Sequence, residues 1–249
     1  MNILITGVSA GFGKAIATDL AGQGHTVIGT ARRQHKLDEL KAALGDNFIP
    51  LCFDIGDLSA TKTALQSLPT DLLNRIDVLI NNAGLALGLD SADKADITDW
   101  QTMINTNTLG LVNITREILP VMVAKNDGLI INISSTAGNY PYFGANVYGA
   151  TKAFVTQFSL NLRADLVGKN VRVTNLEPGL CGGTEFSHVR FKGDEQKVIK
   201  TYEKVDYITP QDIANMVSWL ISQPKHININ RLEVMPTAQT FAGLTVYKG

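Results

Sequence analysis

The chain has 249 residues, 45% hydrophobic and 18% charged, a balance that suits one α/β domain with a large core and leaves too little charge for disorder. Twenty-two basic residues against twenty-three acidic ones give a formal net charge of −1, so no global field draws nucleic acid or an acidic membrane, and neither is expected as a partner. There is no apolar run long enough to span a bilayer, no basic start followed by an apolar stretch as in a signal peptide, and no CxxC pairing of Cys52 with Cys181. A cytoplasmic protein is expected. His25, His35, His188 and His226 are scattered without ligand spacing, so no metal site is expected.

Short β-branched runs alternate with amphipathic stretches, the pattern of βαβ units around a parallel sheet. Residues 3–6 read as the first strand, 14–21 as a helix closed by Gly22 and Gly24, and 26–31 as the second strand. Leu37, Leu40 and Leu44 then recur at helical spacing. Residues 48–54 form a third strand, in which Pro50 must stand at the start or at a sheet edge because it has no N–H to give a ladder. Residues 78–81 make a short buried strand, and Thr98-Asp99-Trp100-Gln101 reads as a capping box opening a helix that runs to about Val123.

Residues 129–134, 171–176 and 227–235 read as strands, with a long helix over 147–166 and another begun by Thr209 as N-cap and Pro210 at the first helical position. Cys52 reads as strand core, Trp100 and Trp219 as helix packing, and Arg231 with Glu233 as a surface pair. The least regular stretch, 179–206, follows a strand; it reads as a substrate lid at the carboxyl end of the sheet or as an ordinary surface loop. No repeat or linker interrupts the chain. The fold class expected is α/β, a doubly wound Rossmann-type three-layer sandwich formed by residues 1–249 as one domain.

Directly after the first strand comes Thr6-Gly7-Val8-Ser9-Ala10-Gly11-Phe12-Gly13, and then a helix. Glycines there let the chain turn sharply and bring backbone amides close to a pyrophosphate at the helix N-terminus. The acidic residue that would hold an NAD ribose at the end of the second strand is missing, since that strand ends Thr30-Ala31-Arg32-Arg33. Ala31 removes a repulsive carboxylate, and Arg32 and Arg33 offer charged forks suited to a 2′-phosphate, so NADP is the expected cofactor. The alternative is that the two arginines only solvate a loop.

Tyr148-Gly149-Ala150-Thr151-Lys152 puts a phenol and an ammonium one helical turn apart. Alone the pair is a weak signal; its position after a strand ending Asn132-Ile133-Ser134-Ser135 strengthens it, because Ser135 then lies at the carboxyl end of the sheet. Hydride transfer at a carbon bearing oxygen needs a proton to move on that oxygen. A tyrosine whose pKa of about 10 is lowered by a neighbouring ammonium can serve, with Ser135 holding the oxygen.

Thr6-Gly7-x3-Gly11-x-Gly13, Asn81-Asn82-Ala83-Gly84, Asn107, Ser135, Tyr148-x3-Lys152 and Pro178-Gly179 together resemble the short-chain dehydrogenase/reductase superfamily across essentially the whole chain. The resemblance implies a seven-stranded parallel sheet of order 3-2-1-4-5-6-7 and a catalytic set of Asn107, Ser135, Tyr148 and Lys152. It implies that Lys152 also binds the nicotinamide ribose, that Asn107 kinks its helix around a proton-relay water, that Asp54 beside Ile55 meets the adenine, and that Asn81 lines the adenosine side. Pro178, Gly179, Gly182, Thr184 and Glu185 would follow the nicotinamide end. The sequence departs from the family at Ala10, where some NADP members carry a basic residue, and in the extended run from Leu180 to Phe186.

The stretches 82–88, 147–163 and 177–193 are similar, more narrowly, to the bacterial NADP-dependent 3-hydroxy acid dehydrogenases, which oxidise serine, L-allo-threonine or 3-hydroxyisobutyrate, reduce malonic semialdehyde and form homotetramers. A small hydroxy acid at Ser135 and Tyr148 needs a group to hold its carboxylate. Arg190 is the candidate by position, with Lys192 as the alternative. A broader aldehyde, ketone or 3-oxoacyl reductase and a cofactor-sensing regulator are the other readings.

Overall fold

The structure, a computed structural model, describes residues 1–241. In chain order these give β1 (Asn2–Thr6), α1 (Gly11–Gly22), β2 (Thr26–Ala31), α2 (Gln34–Leu44), β3 (Phe48–Cys52), α3 (Leu58–Gln66), α4 (Thr70–Leu73), β4 (Ile76–Asn81) and α5 (Ile97–Ile104). After a π-helical turn at Asn105–Gly110 follow α6 (Leu111–Lys125), β5 (Gly128–Ile133), α7 (Asn146–Asp165), β6 (Val171–Pro178), α8 (Phe186–Arg190), α9 (Glu195–Tyr202), α10 (Pro210–Ser222) and β7 (Arg231–Val234). The strands form one seven-stranded sheet in the order β3-β2-β1-β4-β5-β6-β7, every pair parallel, as the family resemblance implied.

Strand alternation divides the core between the two faces of this sheet. Ile3, Ile5, Val27 and Ile80 pack under α1 and α10 through Ile16, Leu20, Ile213 and Val217. Leu4, Ile28, Leu79 and Ile130 point the other way and meet Ile114, Ile118 and Leu162 of α6 and α7. Pro50 lies on the edge strand. Phe53 N–H donates to the Ala31 carbonyl at 3.1 Å, so alternation turns the nitrogen of Pro50 away from β2.

Several boundaries differ from the sequence reading for local reasons. The N-cap of α5 is Asp96, whose carboxylate accepts from Thr98 N–H at 2.8 Å, and the single helix expected over 98–123 is divided by the π turn. Thr209 caps α10 with Pro210 in its first turn, as the sequence reading had it, and Asp212 completes a reciprocal capping box. The stretch expected to be irregular carries α8 and α9, of five and eight residues. Cys52 is exposed at the end of the edge strand rather than in the core. Trp219 is 49% exposed, whereas Trp100 packs against Met103, Ala86 and Tyr148.

Below the carboxyl end of the sheet runs a polar ladder. Asn81, Asn132 and Asn175 stand side by side in register on β4, β5 and β6. Asn81 Nδ2 donates to Asn132 Oδ1 and Thr115 Oγ1, Asn132 Nδ2 to Ser159 Oγ, and Asn175 Nδ2 to Thr156 Oγ1 and Glu177 Oε1. Glu177 is wholly buried and also accepts from Asn139, while Arg231 donates to both of its oxygens at 2.7 Å. Arg231 therefore pairs across strands with Glu177 and not with Glu233, which receives hydrogen bonds from Asn139 and Tyr140. Glu177 is wholly buried while the Arg231 side chain is 42% exposed, so removing the arginine leaves a charge only partly compensated, and Arg231→Ala is expected to lower the unfolding free energy by about 1.5–3 kcal/mol. Denaturant unfolding measures this, and an unchanged midpoint would mean that the asparagines alone satisfy Glu177.

Candidate active site

The carboxyl ends of β1, β2, β4, β5 and β6 open into one cleft of about 660 Å³. Its floor is set by the turn after β1. Gly7 has φ +73°, and a Cβ there would stand 2.9 Å from Ala83 Cα. A Cβ on Gly13 would stand 2.2 Å from the Gly7 carbonyl oxygen, so only glycine lets α1 start this close to the turn. No side chain caps the N-terminus of α1, and no acidic residue lies in its first turn, which leaves a positive helix end for an anionic ligand.

Gly7, Ser9, Ala10, Gly11 and Phe12 line the cleft on this side, with Arg32, Arg33, Asp54 and Ile55 at its far end. Arg32 Nη1 lies 3.5 Å from Asp54 Oδ2, and Arg33 Nη2 donates to Ser9 Oγ at 2.9 Å and to Glu185 Oε2 at 2.8 Å. Both arginines are half-exposed, and pairs of this kind hold their charges weakly. They remain able to turn toward a phosphate. No acid stands at the end of β2, and the cleft volume suits a ligand of dinucleotide size. The residues present thus fit a dinucleotide carrying an extra phosphate on its adenosine.

At the other end β5 delivers Ser135, and the first two turns of α7 deliver Tyr148 and Lys152. Ser135 Oγ accepts from Ala137 N–H at 3.1 Å and donates to the Pro178 carbonyl at 3.3 Å. Lys152 Nζ donates to the Ile133 carbonyl at 2.9 Å and lies 5.9 Å from the Tyr148 ring centroid. Burial dominates both titrations. It pushes the Tyr148 phenol well above its ordinary value, with Tyr142 adding to the shift and the Ser135 hydrogen bond and Arg190 charge opposing it. It draws the Lys152 ammonium down to about 8. The same desolvation, with Asp212 adding to it, pushes the Cys181 thiol up to about 12, so this cleft residue is a neutral wall.

Pro178, Gly179, Thr184 and Glu185 line the cleft after β6, and α8 closes over it with Arg190. The Arg190 guanidinium carbon lies 5.4 Å from the Tyr142 ring centroid and 5.5 Å from that of Tyr148. Its Nε donates to the Gly88 carbonyl at 3.3 Å, while Gly88 N–H donates to the Arg190 carbonyl. Arg190 Nη2 is buried and has no hydrogen-bond partner among the described residues, an expensive state for a charged donor unless an anion completes it. Lys192, the alternative, is exposed and bound to Asp99 at 2.9 Å, outside the cleft.

Five expected positions stand behind the wall. Val8 is fully buried in the core, and Gly13 serves the α1 contact described above. Asn81 points into the polar ladder, so the asparagine on the cleft is its neighbour Asn82, whose Nδ2 holds the Thr6 and Gly7 carbonyls. Gly182 packs against the Tyr207 ring. Asn107 is buried in the π turn, bonded to both backbone groups of Leu85 and to Thr151 Oγ1; a Cβ on Gly84 would be 3.3 Å from both Asn107 Oδ1 and Lys152 Nζ. The sequence reading missed Tyr142, Phe186, Tyr202 and Gln239, which reach the cleft from loops and short helices and carry no motif.

This fold and this site define a short-chain dehydrogenase, and the chain belongs to that family: the family profile "short chain dehydrogenase" matches residues 1–195. It is similar, 62% identical over 245 residues, covering 98% of this chain and 97% of the relative, to a probable NADP-dependent dehydrogenase of Haemophilus influenzae. It is 56% identical over 248 residues, covering 100% of both chains, to the NADP-dependent 3-hydroxy acid dehydrogenase YdfG of Escherichia coli (strain K12). The solved closed form of a serine dehydrogenase complexed with NADP+ superposes with a TM-score of 0.98 at 56% identity, again covering 100% of both chains. Among the described residues, no helix is long and apolar enough to cross a membrane.

Lys152 supplies a pH test. Its folded pKa of about 8 lies below the ordinary 10.5, so between these values the unfolded chain binds the extra proton and stability rises with pH. The stability difference between the cofactor-free protein and Lys152→Met is expected to shift in favour of the parent by about 1.4 kcal/mol per pH unit in that window. Urea unfolding at stepped pH measures it, and a flat difference would mean that Lys152 keeps its charge in the cleft.

Proposed function

We propose that this protein is an NADP-dependent oxidoreductase that transfers a hydride between the 3-hydroxyl carbon of a small 3-hydroxy acid and the nicotinamide, with serine, L-allo-threonine and 3-hydroxyisobutyrate in one direction and malonic semialdehyde in the other. The observation that carries the substrate class is Arg190, a cation on the cleft wall whose guanidinium stands beside Tyr148 and whose buried Nη2 has no hydrogen-bond partner among the described residues. The names of its relatives and the arginines at the end of β2 support the cofactor.

The bound nicotinamide supplies or accepts the hydride. Arg190 holds the substrate carboxylate, and the hydroxyls of Ser135 and Tyr148 hold the reacting oxygen. In oxidation Tyr148 takes the hydroxyl proton, and in reduction it returns one. The Lys152 ammonium favours the phenolate against the burial that opposes it, and Asn107 fixes the strand-to-helix loop at Leu85 and the Thr151 turn beside that lysine. The uncapped start of α1 and the turn at Gly7 and Gly11 hold the pyrophosphate, Arg32 and Arg33 the 2′-phosphate, Asp54 and Ile55 the adenine side, and Pro178, Gly179, Thr184 and Glu185 the nicotinamide side.

Residues 1–249 act as one catalytic domain, and the segment 179–206 acts as the lid, tied shut by the Gly88–Arg190 backbone pair and the Lys192–Asp99 bridge. The chain works in the cytoplasm as a homotetramer whose contacts use the exposed Ile97, Leu109 and Phe154 around α5 and α7.

Initial rates of NADP+ and NAD+ reduction with L-allo-threonine test the cofactor. NADP+ is expected to lead by more than about tenfold, and Arg33→Ala to remove most of that lead, a phosphate contact being worth about 1.5–3 kcal/mol. Equal rates with both cofactors would remove the role of the arginines. Arg190→Ala is expected to raise the substrate KM by about 30-fold or more while leaving NADPH affinity unchanged, as loss of a charged hydrogen-bond partner implies. An unchanged KM would place the carboxylate elsewhere.

A further inference from the structure

We propose that Tyr142 is a positioning residue for substrate binding: its ring holds the guanidinium of Arg190 in place, so that the carboxylate is gripped at a set distance from Tyr148. This inference rests on the 3-hydroxy acid reading above and deepens it.

The contacts of one cation with two rings carry it. Arg190 is the last residue of α8, and Tyr142 and Tyr148 line the same cleft. The guanidinium carbon lies 5.4 Å from one ring centroid and 5.5 Å from the other, within cation–π range of both. A ring attracts a guanidinium through its π-face, whereas the N–H donors lie in the guanidinium's own plane. Tyr142 can therefore hold the charge without taking the donors that a carboxylate needs. The Tyr148 ring is in turn backed by Phe186, at 5.8 Å between centroids. The three groups also act on one another electrically: burial raises the Tyr148 phenol most, Tyr142 adds to the rise, and the Arg190 charge opposes it.

Backbone contacts fix the tyrosine relative to the arginine. Gly88 N–H donates to the Arg190 carbonyl at 2.9 Å, and the Gly88 carbonyl accepts from Arg190 Nε at 3.3 Å. One residue on, the Leu89 carbonyl lies against Gly144, which has φ +76° and where a Cβ would collide with that oxygen. Asn146 Nδ2 donates to the Asp90 carbonyl at 3.1 Å, and the Tyr142 carbonyl accepts from Ala145 N–H at 3.0 Å. Residues 88–90 thus hold the arginine on one side and the turn that carries Tyr142 on the other. The contact between the two side chains is set by these loops. Tyr142 itself is 38% exposed and outside the core clusters, so its replacement is expected to leave the fold intact.

The test measures KM and kcat for L-allo-threonine at saturating NADP+ in Tyr142→Leu and Tyr142→Phe, each made alone and together with Arg190→Ala. Tyr142→Leu is expected to raise KM by about five- to tenfold through loss of the cation–π contact, with kcat within about twofold of the parent and NADPH affinity unchanged. Phenylalanine keeps the π-face, so Tyr142→Phe is expected to stay within about twofold of the parent in KM. Beside Arg190→Ala the leucine has no guanidinium left to release, and kcat/KM is expected to fall by less than about twofold further. A KM unmoved by Tyr142→Leu, an equal loss in Tyr142→Phe, or the full loss persisting beside Arg190→Ala overturns the inference while leaving the 3-hydroxy acid reading intact. A KM unmoved by Arg190→Ala itself overturns both the carboxylate contact and the inference built on it.

Discussion

A lysine ammonium buried at the end of a parallel sheet is the constraint around which the rest of this site is arranged. The burial that brings Lys152 and Tyr148 within reach of each other lowers the lysine and raises the tyrosine. The fold gives the ammonium a fixed acceptor, the Ile133 carbonyl, on the wall of the cleft. Ser135, Arg190 and the glycine turn are then distributed around that pair, the first two lowering the phenol and the third keeping the neighbouring backbone close. Charge supplied in the cleft therefore has leverage that the same charge in water would lack.

Support for that lysine comes from below. The asparagine ladder links β4, β5 and β6 to α6 and α7 through Thr115, Ser159 and Thr156. Ser134 Oγ bonds to the Lys152 carbonyl, and Ser134 also meets Thr156, so the ladder reaches the helix that carries Tyr148 and Lys152. Asn139, in the loop that follows Ser135, is anchored to Glu177 one residue before Pro178. The serine loop, the β6 end and α7 thus share one set of buried polar contacts, which lets them hold position to a fraction of an ångström.

Much of this was legible in the sequence because it was encoded locally. Gly24 before β2 and the arginines after it bound that strand, Pro50 marked the sheet edge, and Thr209-Pro210 opened α10. The glycine turn, Ser135, Tyr148 and Lys152 could be placed because each is tied to the end of a strand or the start of a helix. What was not legible depends on side-chain direction or on distant partners. Asn81 and Asn82 are adjacent, and a strand sends neighbours to opposite faces, so the motif alone does not say which one meets the cleft. Nothing near Arg231 announces Glu177, 54 residues away, and nothing near Tyr142 announces the guanidinium that packs on it. The helices α8 and α9 are short enough that tertiary contacts, not periodicity, decide them.

The edge proline has a consequence beyond strand assignment. A sheet grows, between copies of one protein or by capture of a foreign segment, through the free donors and acceptors of its outermost strand. On β3 the nitrogen that faces outward at Pro50 has no hydrogen, and the strand is only five residues long. A would-be additional strand finds its hydrogen-bond register broken in the middle of that template. This edge of the sheet is thereby guarded against β-addition and the aggregation that begins there, a protection that the opposite edge, β7, does not draw from a proline.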